Sequence, residues 1–100
     1  MDNKSTSKYK NDFLTVRKFI NEFDPCDLIK IVATEDEYDC MTQQIISYLY
    51  AKRSNQEIKD LIVHEIETHF GLTNPKDFKE PDRSMFFAEL ETFIIKVKNK

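Results

Sequence analysis

The string His64-Glu65-Ile66-Glu67-Thr68-His69 puts two imidazoles and two carboxylates into one short stretch of chain. Those are the ingredients of a zinc site on a helix. A zinc-protease helix, however, carries its histidines four residues apart, so that both rings meet one metal. Here the spacing is five, which turns the side chains about 140° apart on a helix of 3.6 residues per turn. Measured against Ile62 and Ile66, His69 falls within the apolar stripe and His64 on the opposite face. The pair therefore reads as one part-buried core histidine and one surface histidine, with no metal and no other cofactor implied. Cys26 sits between Asp24-Pro25 and Asp27. A helix N-terminus favours a thiolate, but the flanking carboxylates oppose one, and no histidine is near in sequence to act as base. Cys26 and Cys40 read as small structural side chains. With one glycine, Gly71, neither a phosphate-cradling loop nor a Gly-x-Ser-x-Gly elbow can be built, and a calcium loop lacks its turn glycine. No catalytic set is assembled, and the chain reads as a protein that is not an enzyme.

What stands out instead is charge. The segment 22–39 holds seven of the eighteen carboxylates: Glu22, Asp24, Asp27, Glu35, Asp36, Glu37 and Asp39. Residues 21–40 set these seven acids against Lys30 alone, a net −6, whereas residues 1–20 set five basic side chains against two acids, a net +3. The whole chain is at −3, so no global basic field exists to hold nucleic acid. Lys4, Lys8, Lys10, Arg17 and Lys18 are spread over a tail and a helix and read as a solvated face. Part of the acidic block has a structural reading as well. Asp24-Pro25-Cys26-Asp27 has the form of a helix start, with Asp24 as cap and Pro25 at the first helical position. Thr34-Glu35-Asp36-Glu37 has the capping-box form, and acids in a first turn suit the helix dipole.

The elements that must carry these residues are helical. One glycine and no Asn-Gly, Asp-Gly or Gly-Gly pair leave little turn chemistry for hairpins. Residues 1–7 are polar and read as a disordered tail before a single helical domain over 8–100. Tyr9, Phe13, Val16, Ile20 and Phe23 recur at spacings of four and three, which predicts a helix over 7–23. A short helix follows to about 32, with Leu28, Ile31 and Val32 inward. The next, from the Thr34 capping box to about 52, packs Tyr38, Met41, Ile45, Tyr48 and Leu49. Its second stripe, Ile46 and Tyr50, faces either the short helix or a partner subunit. Ser54-Asn55-Gln56-Glu57 is a second capping box, opening a helix that ends at Gly71, placed for a left-handed C′ residue. A loop over 72–80 holds one turn around 76–78. Phe86, Leu90, Phe93, Ile94 and Val97 mark the last helix, 81–98. The predicted fold is all-α: an antiparallel bundle of four main helices plus one short helix. One hundred residues suffice for one core without disulfide or metal. No apolar run approaches the ~20 residues of a membrane span, and no apolar segment follows the polar N-terminus. The expectation is a cytoplasmic protein with free thiols.

Phe23-Asp24-Pro25-x-x-Leu28, followed about ten residues later by Glu35-Asp36-Glu37-Tyr38, resembles a family of small bacterial all-helical proteins of unknown function. That family shows Trp-Asp-Pro-x-x-Leu and then an Asp-Glu-Tyr stretch. Phe23 stands where its tryptophan would be, and Ile31-Val32-Ala33-Thr34 replaces its Gly- and Pro-containing turn. The resemblance implies a helical fold and brings no assigned enzyme activity.

These observations favour a non-enzymatic protein-interaction domain. An acidic surface of Asp24, Asp27, Glu35, Asp36, Glu37 and Asp39 would meet a basic protein partner, because opposite fields speed encounter. An immunity protein or antitoxin against a basic toxin, such as a nuclease, is the concrete form. The alternative is a helical housekeeping domain whose acidic block is structural capping, with Tyr38 packed inward and its hydroxyl on a polar group. A third class, a small hydrolase or metal enzyme, requires a cleft that brings His64 or His69 to two carboxylates.

Overall fold

The structure, a computed structural model, describes residues 3–25 and 36–99, with side chains described from residue 7 onward. Four α-helices follow in chain order: α1 (Asn3–Phe23), α2 (Asp39–Tyr50), α3 (Asn55–Thr68) and α4 (Asp82–Lys98). A 3-10 turn, Pro75–Asp77, lies between the last two. Among the described residues there is no strand, and the chain is an all-α bundle as its patterning predicts. Successive helices run antiparallel. The start of α1 and the end of α2 meet where Tyr50 Oη donates to Asp12 Oδ2 at 2.6 Å. Lys98, at the end of α4, donates to the Arg53 carbonyl just before α3.

Each helix supplies one stripe to a single core. Val16 and Ile20 come from α1, and Met41, Ile45 and Ile46 from α2. Ile58, Ile62 and Ile66 come from α3, and Leu90, Phe93, Ile94 and Val97 from α4; all are buried. The second stripe of α2 divides: Ile46 is as buried as Ile45, whereas Tyr50 is 49% exposed. The short helix predicted over 25–32, with Leu28, Ile31 and Val32, lies outside the described residues. So does Cys26.

The helix ends show what stops each element. At Asp24 the backbone N–H still donates to Ile20 O at 2.7 Å, but φ is +49°. That left-handed turn closes α1, and Pro25 behind it disfavours helical continuation at Asp24. A short polar side chain tolerates the conformation better than most. At the end of α2, Lys52 (φ +55°) donates to Leu49 O, and Arg53 donates to Tyr48 O, the paired bonds of a Schellman motif. Ser54 and Glu57 form the predicted capping box before α3, each side chain accepting from the other's backbone N–H. Gly71 has φ +64° after α3, as its place in the sequence requires. Asn74 Oδ1 accepts from Lys76 N–H to open the 3-10 turn. Glu80 reaches forward to accept from the Ser84 N–H and hydroxyl, satisfying the first turn of α4, where Pro81 offers no cap.

Three boundaries differ from the sequence reading. Helix α1 begins at Asn3, before the predicted start at 7. Helix α2 begins at Asp39, later than the Thr34 capping box predicts, and its N-cap residue, Tyr38, makes no side-chain cap bond. The physical reason is Tyr38 itself: its ring is wholly buried, and the backbone around it is a turn over 36–38. Consequently Asp39 alone is the acid in the first turn of α2. Asp36 and Glu37 precede the helix. The third difference is His69, taken up below.

Replacing Leu90, which is fully buried, by Ala removes core volume and should cost about 2–5 kcal/mol in urea unfolding. Replacing the exposed Met85 by Ala should stay within about 0.5 kcal/mol. The Ser54 N–H, with Arg53 and the Ser54 hydroxyl, holds the Glu57 carboxyl below its usual range. The Ser84 hydroxyl and N–H, with Arg83, do the same for Glu80. A depressed folded-state pKa stabilises above the unfolded value of about 4.3 and loses that contribution as pH falls through the folded value. Thermal midpoints should therefore drop on acidification below about pH 5, and the E57Q/E80Q variant should show a shallower drop by circular dichroism.

Candidate protein-interaction groove

The predicted acidic surface divides in the structure. Asp24 is buried, and the Tyr38 hydroxyl donates to its Oδ1 at 2.6 Å. Its carboxylate is engaged in the interior, and the helix that it is predicted to cap lies outside the described residues. Asp39 is engaged as well: Arg17 Nε donates to Oδ1 at 3.0 Å and Nη2 to Oδ2 at 2.9 Å. This two-pronged pair ties α1 to the start of α2 in a half-buried setting, where matched guanidinium and carboxylate forks bond strongly. Asp36 is exposed, and Glu37 is half-buried. Asp27 and Glu35 lie outside the described residues. The structure thus removes Asp24 and Asp39 from the contact region that the charge count suggests. A carboxylate count along the chain does not see a tyrosine or an arginine arriving from another helix.

The histidine and cysteine readings also change. His64 is exposed as predicted. His69 is exposed too, although it is the C-cap of α3, with helical backbone angles and its N–H donating to Glu65 O. Phe70 takes the inward place instead, its ring edge-on to Tyr38 at 5.7 Å between centroids. Cys40 is exposed rather than structural. Among the described residues no group of three or more His, Cys, Asp or Glu is arranged to hold a metal ion. No described helix is long and apolar enough to cross a membrane.

Where α1 ends and α4 begins, the bundle leaves an open groove of about 820 Å³. Its floor is aromatic: Phe23 lies 5.6 Å from Phe86 and 5.7 Å from Phe93 between ring centroids, and Phe19 and Met85 flank them. Met85 is 57% exposed, a long apolar side chain left in water. Glu22, Asp82 and Glu89 line the same groove. All three are exposed, and none forms an ion pair among the described residues. Asp82 sits in the first turn of α4, where the dipole welcomes it. Glu22 sits in the last turn of α1, at the negative end of that dipole, so helix electrostatics do not explain it. Lys96 closes the far end, its Nζ 5.9 Å from the centroid of Phe19.

No protein-family model, curated protein or solved structure matches this chain. The groove's meaning therefore rests on its own chemistry. Sequence reasoning missed it because its acids come from two helices far apart in the chain. One signal was present. Asp82, Met85, Glu89, Thr92 and Lys96 recur at three- and four-residue spacings beside the core stripe, marking a second face of α4.

At the opposite end, Lys8, Lys52, Arg53 and Lys98 line a smaller depression. Lys8 pairs with Asp12, Arg53 with Glu57, and Lys98 bonds the Arg53 carbonyl. The Asp12 carboxylate holds the Lys8 ammonium above its usual pKa and raises the Tyr50 phenol likewise. These cations are largely occupied with the protein itself, beside the carbonyl ends of α2 and α4.

Two interior polar pairs carry measurable consequences. Tyr38→Phe removes the donor to a buried carboxylate and should cost roughly 1–3 kcal/mol in urea unfolding. A double-mutant cycle on Arg17→Met and Asp39→Asn should return a coupling of about 1 kcal/mol. A coupling of zero would show that the paired geometry contributes nothing to stability.

Proposed function

We propose that this chain is a non-enzymatic protein-interaction domain that receives a basic protein partner on an acidic surface centred on the groove between α1 and α4. The observation that supports it is the combination of three exposed carboxylates, Glu22, Asp82 and Glu89, with the exposed Met85 and the half-buried Phe19 and Phe23 beside them. Apolar area supplies contact energy, and the acids set the sign of the partner and speed its encounter. Its concrete form is an immunity protein or antitoxin that neutralises a basic toxin. The contact region differs from the block 24–39. Asp24 is buried on Tyr38 and the half-buried Asp39 is paired with Arg17, while Asp36 remains an exposed acid before α2.

A second reading has its own observation. Because Asp24 and Asp39 hold Tyr38 and Arg17, part of the acidic block is accounted for by folding alone, as in a helical housekeeping domain.

The two readings part on charge reversal. Co-expression with the product of the neighbouring reading frame, followed by titration calorimetry of the purified pair, provides the assay. The E22K/D82K/E89K variant should weaken the complex at least tenfold, and the parent affinity should fall between about 50 mM and about 500 mM salt, as screened charge pairs require. An affinity indifferent both to the reversal and to salt sinks the acidic-surface reading and favours the housekeeping one.

A further inference from the structure

The groove follows one face of a helix for several turns, and that shape restricts what can fill it. On α4 the lining runs from Asp82 through Met85, Glu89 and Thr92 to Lys96. At 1.5 Å per residue this is about 21 Å, nearly the full length of the helix. Across from it stand Phe19, Glu22 and Phe23, on the last turn and a half of α1. Two neighbouring antiparallel helices with apolar side chains between them form the trough into which a third helix packs by its own ridge. Among the described residues there is no strand, so no sheet edge invites an extended peptide. The charge arrangement sets the partner's composition: acids at both rims over about half of the length, and one cation, Lys96, near the end.

We infer that the groove between α1 and α4 is the seat of an amphipathic basic helix of about four turns. Its apolar ridge lies on Phe19, Phe23, Met85 and Phe86, and its lysines or arginines face Glu22, Asp82 and Glu89. The inference rests on the acidic-surface reading and adds the partner's secondary structure, its length and the apolar anchor. Met85 is that anchor. It is exposed in the free chain, unbranched and polarisable, and able to adapt to varied apolar ridges.

The test uses the full chain and three synthetic sixteen-residue peptides built from leucine and lysine, one of them with a single proline. In the first, leucines recur at i, i+3, i+4, i+7 and i+11. In the second the same residues are shuffled so that no face is apolar. The third is the first with a central proline. Binding is read by fluorescence anisotropy, and peptide helicity by circular dichroism. The first peptide should bind with one-to-one stoichiometry and gain helicity on binding, and the second and third should bind at least tenfold more weakly. M85K, at an exposed position, should keep the parent unfolding midpoint and lose binding at least tenfold. Equal binding of the three peptides overturns the helix inference while leaving the acidic-surface reading standing. Failure of all three to bind at low salt removes both. A dimer in sedimentation that M85K dissociates also overturns the inference, because the occupant is then a second copy of this chain.

Discussion

The bond between the Tyr38 hydroxyl and the Asp24 carboxylate is the contact on which the arrangement of the bundle turns. It joins the residue that ends α1 to the residue that precedes α2, and both are buried. A buried carboxylate without a donor is costly, and so is a buried phenol without an acceptor. Each therefore fixes the other's position. The left-handed turn at Asp24 aims the carboxylate inward, and the non-helical backbone around Tyr38 places its ring against Phe70. Arg17 and Asp39 repeat the connection one turn away on the surface of the same helix pair. Together they set how α1 lies against α2 and, through the shared core, where α4 can lie.

That placement has a consequence at the other side of α1. With Val16 and Ile20 committed to the core and Arg17 to Asp39, the face carrying Phe19, Glu22 and Phe23 turns toward α4. There it meets the row of Asp82, Met85 and Glu89. The groove is thus a by-product of the same helix rotation that satisfies Asp24. It gathers carboxylates at one end of an antiparallel bundle, while the cations of Lys8, Lys52, Arg53 and Lys98 gather at the other, beside the carbonyl ends of α2 and α4. Lysine and arginine at such ends are stabilising for the helices themselves. Glu22 at the end of α1 is not, and it is the acid for which a partner offers the better account.

Much of the fold was legible because helix stripes and caps are local. Ser54 and Glu57 are close in sequence and bond each other, Gly71 adopts the conformation that its position after a stripe implies, and the residues named for the core of α4 are the ones buried there. The site was less legible. His69 extends the α3 stripe by arithmetic, yet the helix stops one residue before it, and Phe70 fills the core position. Thr34-x-x-Glu37 matches a capping box, yet α2 starts at Asp39, after a turn that buries the ring of Tyr38; Thr34 itself lies outside the described residues.

By itself the sequence determined the class of fold, the inward stripe of each helix, two caps and the excess of carboxylates, since propensity, periodicity and charge are properties of neighbours along the chain. The tertiary structure decided which carboxylates are used up and which stay free. Asp24 accepts from a hydroxyl 14 residues away, and Asp39 pairs with a guanidinium 22 residues away. Glu22, Asp82 and Glu89 are brought together from opposite ends of the chain. Coulomb and hydrogen-bond energies depend on distance in space, and only the packing of the helices sets that distance.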